Sequence, residues 1–482
     1  MAGIGFELKK IYREESIVGN IAGAAYSILV TVGPTIIVML ALLTIYLLLG
    51  YGKVPYGERE LLSSTILYIF IGAVVLTAPI NAVFSRYLAD RIFAEEFQSI
   101  LPSYYTGLAI VCTLATLVSA PVCYRLIVVG GVEPVFVLFA YIFWMSEMIL
   151  YFSMTYLYAT KDYRFISTSF IVGMIVALAI SFGLYEFAGQ LVSNSIITGF
   201  AIGTLLIAVL NGTYIRYYFR NHNKNYTQCL TYFGKYKLVF GANLLYFLGL
   251  YIHNFIYWMS KDRLVVAKTF VTMQSYDMAT CLALITNLSI LIIFTVLAET
   301  KFHDKFQKFV AAINGATLAT IEKEKSGLFR LLMKQITQVF AIQTVITATI
   351  YLAFEIFLPS LGIAGMIMEI YPALAVAFLA IFLMYCNIVY FYYFDDNVGA
   401  FWSSLIFFLC TAAGTWVAKD YAVAYYGMGA LFGGVVGWTF TYFRIRYMEK
   451  HFEAHVFCSQ IITTKRTGVK AESIVYQKEN KK

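Results

Sequence analysis

Residues 1–20 read MAGIGFELKKIYREESIVGN, and an apolar run from about Ser16 to Leu49 follows at once. A removable secretory leader joins a basic head to an apolar core of about 7–15 residues. The run here is far longer, and the head also carries Glu7, Glu14 and Glu15. Ile4, Leu8, Ile11 and Tyr12 recur at helical spacing. Residues 3–15 are therefore expected to form a short amphipathic helix that stays attached and lies on a membrane surface.

The rest of the chain agrees with a permanent membrane location. Of its 482 residues 60% are hydrophobic and 13% charged, whereas proteins average about 25% charged. Too few polar side chains are present to cover a soluble surface. Stretches of 18 or more apolar residues recur, each long enough to cross about 30 Å of hydrocarbon as a helix. The alternation of a membrane β-barrel is absent. The expected fold is an all-α polytopic membrane protein with about 12 transmembrane helices. The spans are expected near 17–49, 61–85, 103–129, 134–159, 164–188, 192–215, 238–260, 275–299, 331–358, 366–392, 398–418 and 422–443. The separate apolar stretch 264–274 reads as an outside loop or re-entrant piece.

The polar stretch 219–236 divides six spans from six, the layout of a two-lobed carrier. The lobes would be 17–218 and 237–448, flanked by the N-terminal helix (1–16) and a tail (449–482). No residue-level repeat between the halves stands out. Phe302, Phe306, Phe309 and Ala312 share one helical face, so a surface helix is expected near 301–327. With the N-terminus inside, 28 of the 35 Lys and Arg fall on inside segments and 7 on outside ones. That bias places both termini in the cytoplasm. The net charge of +8 is thus a topology signal, and no basic folded domain is left to bind nucleic acid.

The chain contains no GxxxxGK[ST], HExxH or GxSxG stretch, which argues against an ATPase, a zinc protease or a serine hydrolase. No polar block exceeds about 40 residues, too little for an independent catalytic domain. Seven scattered cysteines and five dispersed histidines suggest neither disulfides nor a metal site. No cofactor is expected. A transporter or a membrane assembly subunit remains, not an enzyme.

Polar side chains held in the bilayer cost free energy, so they mark candidate sites. Asn81 and Ser85 lie one turn apart after Pro79, which can kink the helix or free a carbonyl. Arg86 and Arg91 follow, either snorkelling to lipid phosphate or forming an inner gate that meets an anionic group. Asn243, Tyr246, Asn254 and Tyr257 share one stripe, suited to a sugar's hydroxyl edges and apolar faces, or to interhelical hydrogen bonds. Glu147 is the best mid-membrane carboxylate: a coupling site, a sugar acceptor or a buried protonated acid. Asn287 and Asn387 are weaker candidates of the interhelical kind. Asp277 reads as a helix N-cap. With 38 Tyr, clusters such as YFSMTYLY (151–158) and VYFYYF (389–394) fit interfacial belts, the alternative being Tyr that line a wide, sugar-tolerant passage.

Several of these stretches together resemble the PelG family, inner-membrane exporters of the Pel exopolysaccharide. They are MAGIGFELKK at residues 1–10 with Gly33-Pro34 some twenty residues on, FSRYLADR (84–91), KDY (161–163), YD (276–277), ET (299–300) and YFDD (393–396). The resemblance implies a flippase-superfamily fold (MATE/MOP-like), with two six-helix lobes around a central cavity. It implies a polymer of N-acetylated galactosamine and glucosamine as cargo, a bacterial cytoplasmic membrane, a cytoplasmic glycosyltransferase partner and further Pel membrane subunits. Alternatives are an ion-coupled flippase of lipid-linked sugars, a multidrug antiporter, or a scaffold that activates the glycosyltransferase without moving anything.

Overall fold

The computed structural model describes residues 33–160, 162–220, 222–361 and 365–467. The amphipathic helix expected at 3–15 lies outside them. The first half runs through α1 (Gly33–Leu48), α2 (Tyr56–Phe93), α3 (Ile100–Val128), α4 (Pro134–Thr160), α5 (Tyr163–Glu186) and α6 (Val192–Tyr218). A short α7 (Thr231–Lys235) sits in the linker. The second half opens with α8 (Lys237–Tyr257) and a hairpin of β1 (Leu264–Val266) and β2 (Phe270–Thr272). Then come α9 (Gln274–Asn287), α10 (Ser289–Leu297), α11 (His303–Ile313), α12 (Leu318–Phe357), α13 (Met366–Tyr393), α14 (Asn397–Ala418) and α15 (Met428–Thr467).

Ten helical stretches are long and apolar enough to cross a membrane, α9 through α11 forming one of them. The other two expected spans coincide with α1, a 16-residue apolar helix at the edge of the described residues, and with the start of α15. Each half buries its own apolar core. One draws on Val38 through Tyr232. The other draws on Ala242 through Phe452 and takes in Ile71 and Val75 of α2. Helix α2 therefore belongs to both cores and joins the halves.

The closing helix pair of each half packs backbone to backbone through small residues. A Cβ at Gly203 of α6 would lie 2.6 Å from Ala177 Cβ of α5, and one at Gly433 of α15 would lie 2.0 Å from Thr411 Oγ1 of α14. Both pairs start from an aspartate cap. Asp162 accepts from Phe165 N (3.1 Å) and from Tyr214 Oη of α6 (2.7 Å). Asp396 accepts from Gly399 N (3.0 Å) and, through both oxygens, from Arg444 of α15 (2.7 and 2.8 Å).

The segment 274–313 is interrupted twice, at Leu288 and by a π-helical turn over Ala298–Phe302. A buried network fills the first break. Asn287 Nδ2 donates to Ala283 O and to Ala375 O of α13, both at 3.0 Å. Gln343 of α12 donates to Thr286 O (3.1 Å) and accepts from Ser289 Oγ (2.7 Å). Replacing Gln343 by leucine strips these partners inside the bundle, where an unpaired polar group costs about 1–3 kcal/mol. The thermal unfolding midpoint in detergent should fall accordingly, and an unchanged midpoint would show that the network is dispensable.

Helix α12 has 40 residues, about 60 Å at 1.5 Å per residue, twice a bilayer's hydrocarbon. Its first turns and α11 divide the stretch 301–327, with Lys305 Nζ of α11 on Glu324 of α12 at 2.7 Å. Phe309, Phe329, Phe394 and Phe452 pack together beneath them. Helix α15 kinks at His451 (φ −112°, ψ 16°), and helix resumes from there to Thr467. This end of the molecule carries Arg86, Arg91 and the basic segments 216–237, 301–334 and 444–450, and is called the basic end below. The linker is docked there: Tyr232 Oη donates to Asp90 of α2 at 2.8 Å. Burial and the Asp90 carboxylate push the Tyr232 phenol up to about 12, so it stays a donor near neutral pH.

The opposite end is bridged by the hairpin, where the sequence suggested a loop or re-entrant piece. Val266 pairs with Phe270 across a turn in which Ala267 (φ 47°) and Lys268 (φ 49°) are left-handed. That conformation is uncommon for residues other than glycine. The hairpin belongs to the second half but docks on the first. Tyr68 Oη of α2 donates to Val271 O (2.8 Å) and accepts from Val271 N (3.2 Å). Gln274 donates to Glu60 of α2 at 2.9 Å, and Arg125 of α3 to Lys268 O at 3.2 Å. Val266 and Phe270 pack on Leu126 and Val137.

Candidate functional site

Helices α2 and α4 of the first half face α8, α9 and α13 of the second. Helix geometry sets which side chains reach this boundary. On α4, Glu147, Tyr151 and Tyr158 stand at offsets of 4 and 11, one face of a helix. Tyr151 is partly exposed and Tyr158 is 38% exposed. Cys281 of α9, and Tyr385 and Tyr392 of α13, also keep accessible surface. Tyr151 is within electrostatic reach of Glu147 and of Tyr251 on α8, and Tyr251 of Cys281. These groups lie where α4, α8 and α9 of the two halves meet.

Glu147 is 5% exposed and makes no hydrogen bond or ion pair among the described residues. Asn81 Nδ2 donates to Tyr151 O at 2.9 Å, while its Oδ1 is buried without a partner. Arg86 has no acidic partner among the described residues. It donates to Tyr392 O at 3.4 Å and stands over the rings of Tyr392 (5.3 Å) and Tyr236 (5.9 Å). Such contacts hold a cation without neutralising it. Asn243 donates to Tyr392 Oη at 2.9 Å. Tyr246 backs Tyr385 with ring centroids 5.0 Å apart. Five of the residues singled out in the sequence thus meet at the boundary: Asn81, Arg86, Glu147, Asn243 and Tyr246.

Two do not. Asn254 is 1% exposed within the second half and donates to Asp277 Oδ1 (2.7 Å) and Thr280 Oγ1 (3.2 Å). Asn287 sits in the network at the helix break. Asp277 is not the N-cap of α9, a place taken by Met273. Its carboxylate reaches back to Met273 N (3.1 Å) and accepts from Trp258 Nε1 (3.0 Å), tying α8 to α9. The sequence left YFSMTYLY and VYFYYF open between interfacial belts and a passage lining. Tyr217 and Tyr218, at 61% and 52% exposure, are of the belt kind. Tyr392 faces Arg86 of the first half, and Tyr158 is 38% exposed. Two surface grooves, 420 Å³ beside Thr106 and Leu230 and 480 Å³ beside Phe97 and Arg220, lie away from the boundary.

The architecture recurs in solved structures of transporters. A multidrug resistance MATE family transporter of the MOP superfamily, in an outward-facing conformation, aligns with a TM-score of 0.57 at 14% identity, covering 89% of this chain and 96% of that one. A MOP superfamily transporter from Pyrococcus furiosus aligns equally well (0.57, 13% identity, 89% and 96%). So does the Vibrio cholerae MATE transporter VcmN in its bent form (0.57, 12%, 94% and 100%). The chain therefore has the fold of a MOP superfamily transporter. No curated protein matches at a significant level. Residues 1–457 match the family model of PelG, described as "Putative exopolysaccharide Exporter (EPS-E)", and the chain belongs to that family.

Proposed function

We propose that this chain exports an N-acetylhexosamine exopolysaccharide of the Pel type across the bacterial cytoplasmic membrane. The polymer passes between the halves from the basic end, which faces the cytoplasm, and is handed over there by a partner glycosyltransferase. The observation that carries this reading is the set of phenols with accessible surface where the halves meet, with one acid (Glu147) and one arginine (Arg86) beside them. Tyrosine offers an apolar ring and a hydroxyl in one side chain, the two features a sugar ring presents in turn. Sparse charge fits a neutral cargo better than an ionic one.

Inverted membrane vesicles containing the chain and its glycosyltransferase would test it. Radiolabelled UDP-N-acetylhexosamine is supplied, and polymer protected from added glycosidase is counted. Protected polymer that disappears without this chain is the expected result. Equal amounts of polymer, all of it accessible, would reject export. Polymer that forms only with this chain and is never protected would favour an activating scaffold.

A second reading, an ion-coupled carrier, draws on the unpartnered carboxyl of Glu147. Glu147→Gln separates the two. A passage for polymer keeps the side chain's shape and hydrogen bonding, so protected polymer should stay within about twofold of the parent, under 0.5 kcal/mol. A carrier that loads a proton or sodium on Glu147 should lose tenfold or more, about 1.4 kcal/mol.

A further inference from the structure

The halves share a residue pattern that the apolar background conceals. Residues 151–162 read YFSMTYLYATKD and residues 385–396 read YCNIVYFYYFDD. Both follow Y-x4-Y-x-Y-x3-D. The first closes α4 and the second closes α13, and each aspartate caps the next helix. The equivalence extends to contacts. The middle tyrosines, Tyr156 and Tyr390, are both 0% exposed. Each turns into its own half, Tyr156 bonding Ser103 of α3 at 2.9 Å and Tyr390 donating to Gln335 of α12 at 2.9 Å.

The outer two tyrosines of each pattern do the opposite. Seven residues are nearly two helical turns, so Tyr151 and Tyr158 share a face, as do Tyr385 and Tyr392. All four keep accessible surface, and Tyr392 meets Arg86 of the first half. The spacing between rungs is about 10 Å along each helix. The rungs are held in place from behind: Tyr392 by Asn243 and Arg86, Tyr385 by Tyr246, and Tyr151 through its carbonyl by Asn81.

From this we infer that Tyr151, Tyr158, Tyr385 and Tyr392 form a two-rail ladder that binds an extended, uncharged sugar chain by its ring faces and hydroxyls. The inference rests on the export reading and names the residues that touch the cargo. One rail comes from each half, so the chain is gripped from two sides. A single ring contact is weak, and several weak contacts in series hold a polymer without arresting it, as multi-site passages require.

The test uses the full-length protein in nanodiscs, titrated calorimetrically with a linear N-acetylhexosamine hexasaccharide. Tyr151→Ala and Tyr385→Ala should each weaken binding about fivefold to tenfold, by similar factors because the rails are equivalent. Tyr151→Phe and Tyr385→Phe should recover most of the loss, which a folding defect would not explain. Tyr156→Phe, Tyr390→Phe and the exposed Tyr217→Ala should bind as the parent does. Parent-like binding by both ladder alanine variants overturns the ladder, as does an equal loss in Tyr217→Ala. A parent chain that exports polymer in vesicles and binds no hexasaccharide overturns the ladder alone. Ladder-dependent binding in a chain that exports nothing keeps the ladder and overturns the export reading.

Discussion

Replacing Arg444 by alanine is expected to destabilise the second half by about 3–5 kcal/mol, the scale for removing one partner of a buried ion pair. The Asp396 side chain is 2% exposed and that of Arg444 26%. Both carboxylate oxygens accept from the guanidinium, and without it the charge keeps Gly399 N as its bonded donor. Folded yield and thermal midpoint, followed by fluorescence-detected size exclusion in detergent, should both drop. Adding Asp396→Asn should restore part of the loss, since the stranded charge is then gone while the cap oxygen remains. The first half offers an internal comparison. There Asp162 is met by a phenol instead of a guanidinium, so Tyr214→Phe removes one hydrogen bond worth about 1 kcal/mol. An Arg444→Ala chain as stable as Tyr214→Phe would mean that the ion pair is not what holds α14 to α15.

The second large effect concerns the hairpin. Gly130→Val places a Cβ 2.6 Å from the Ala267 carbonyl, closer than atoms tolerate, and the hairpin has to lift. Three hydrogen bonds and the Leu126–Val266–Phe270 contact join it to the first half, and Gln274 of the adjoining α9 adds a fourth, to Glu60. At about 0.5–1.5 kcal/mol each, the bonds outweigh the single 3.4 Å bond from Arg86 at the basic end. Losing about 1.4 kcal/mol of this docking raises the open population tenfold. Cys281 of α9 keeps accessible surface and serves as the reporter. In a chain with the other six cysteines replaced, an impermeant maleimide added outside intact cells should label Cys281 at least about tenfold faster after Gly130→Val. Equal labelling rates would show that the hairpin does not close that end.

Composition sufficed for the membrane class because apolar runs of span length leave little choice. The boundary was harder. Glu147 and Arg86 were visible as isolated charges in apolar stretches, and both lie there. Asn254 looked the same in sequence, but its partner Asp277 is 23 residues away and only tertiary structure pairs them. The tyrosines stayed open between belt and lining because both use one residue type, and helix rotation decides between them. The hairpin was hidden for a different reason: Ala267 and Lys268 take the positions where Asn-Gly is the usual signal. The repeated Tyr and Asp positions were masked by apolar residues that differ between the halves.

The equal spacing of the ladder has an energetic corollary. A polymer advanced by one rung meets the same phenols again, so its contact energy is nearly level along the path. A level path sets no direction and does no work. On the proposed export reading, net movement is then driven where the polymer is lengthened, each added sugar displacing the chain ahead of it, and export would be inseparable in rate from synthesis.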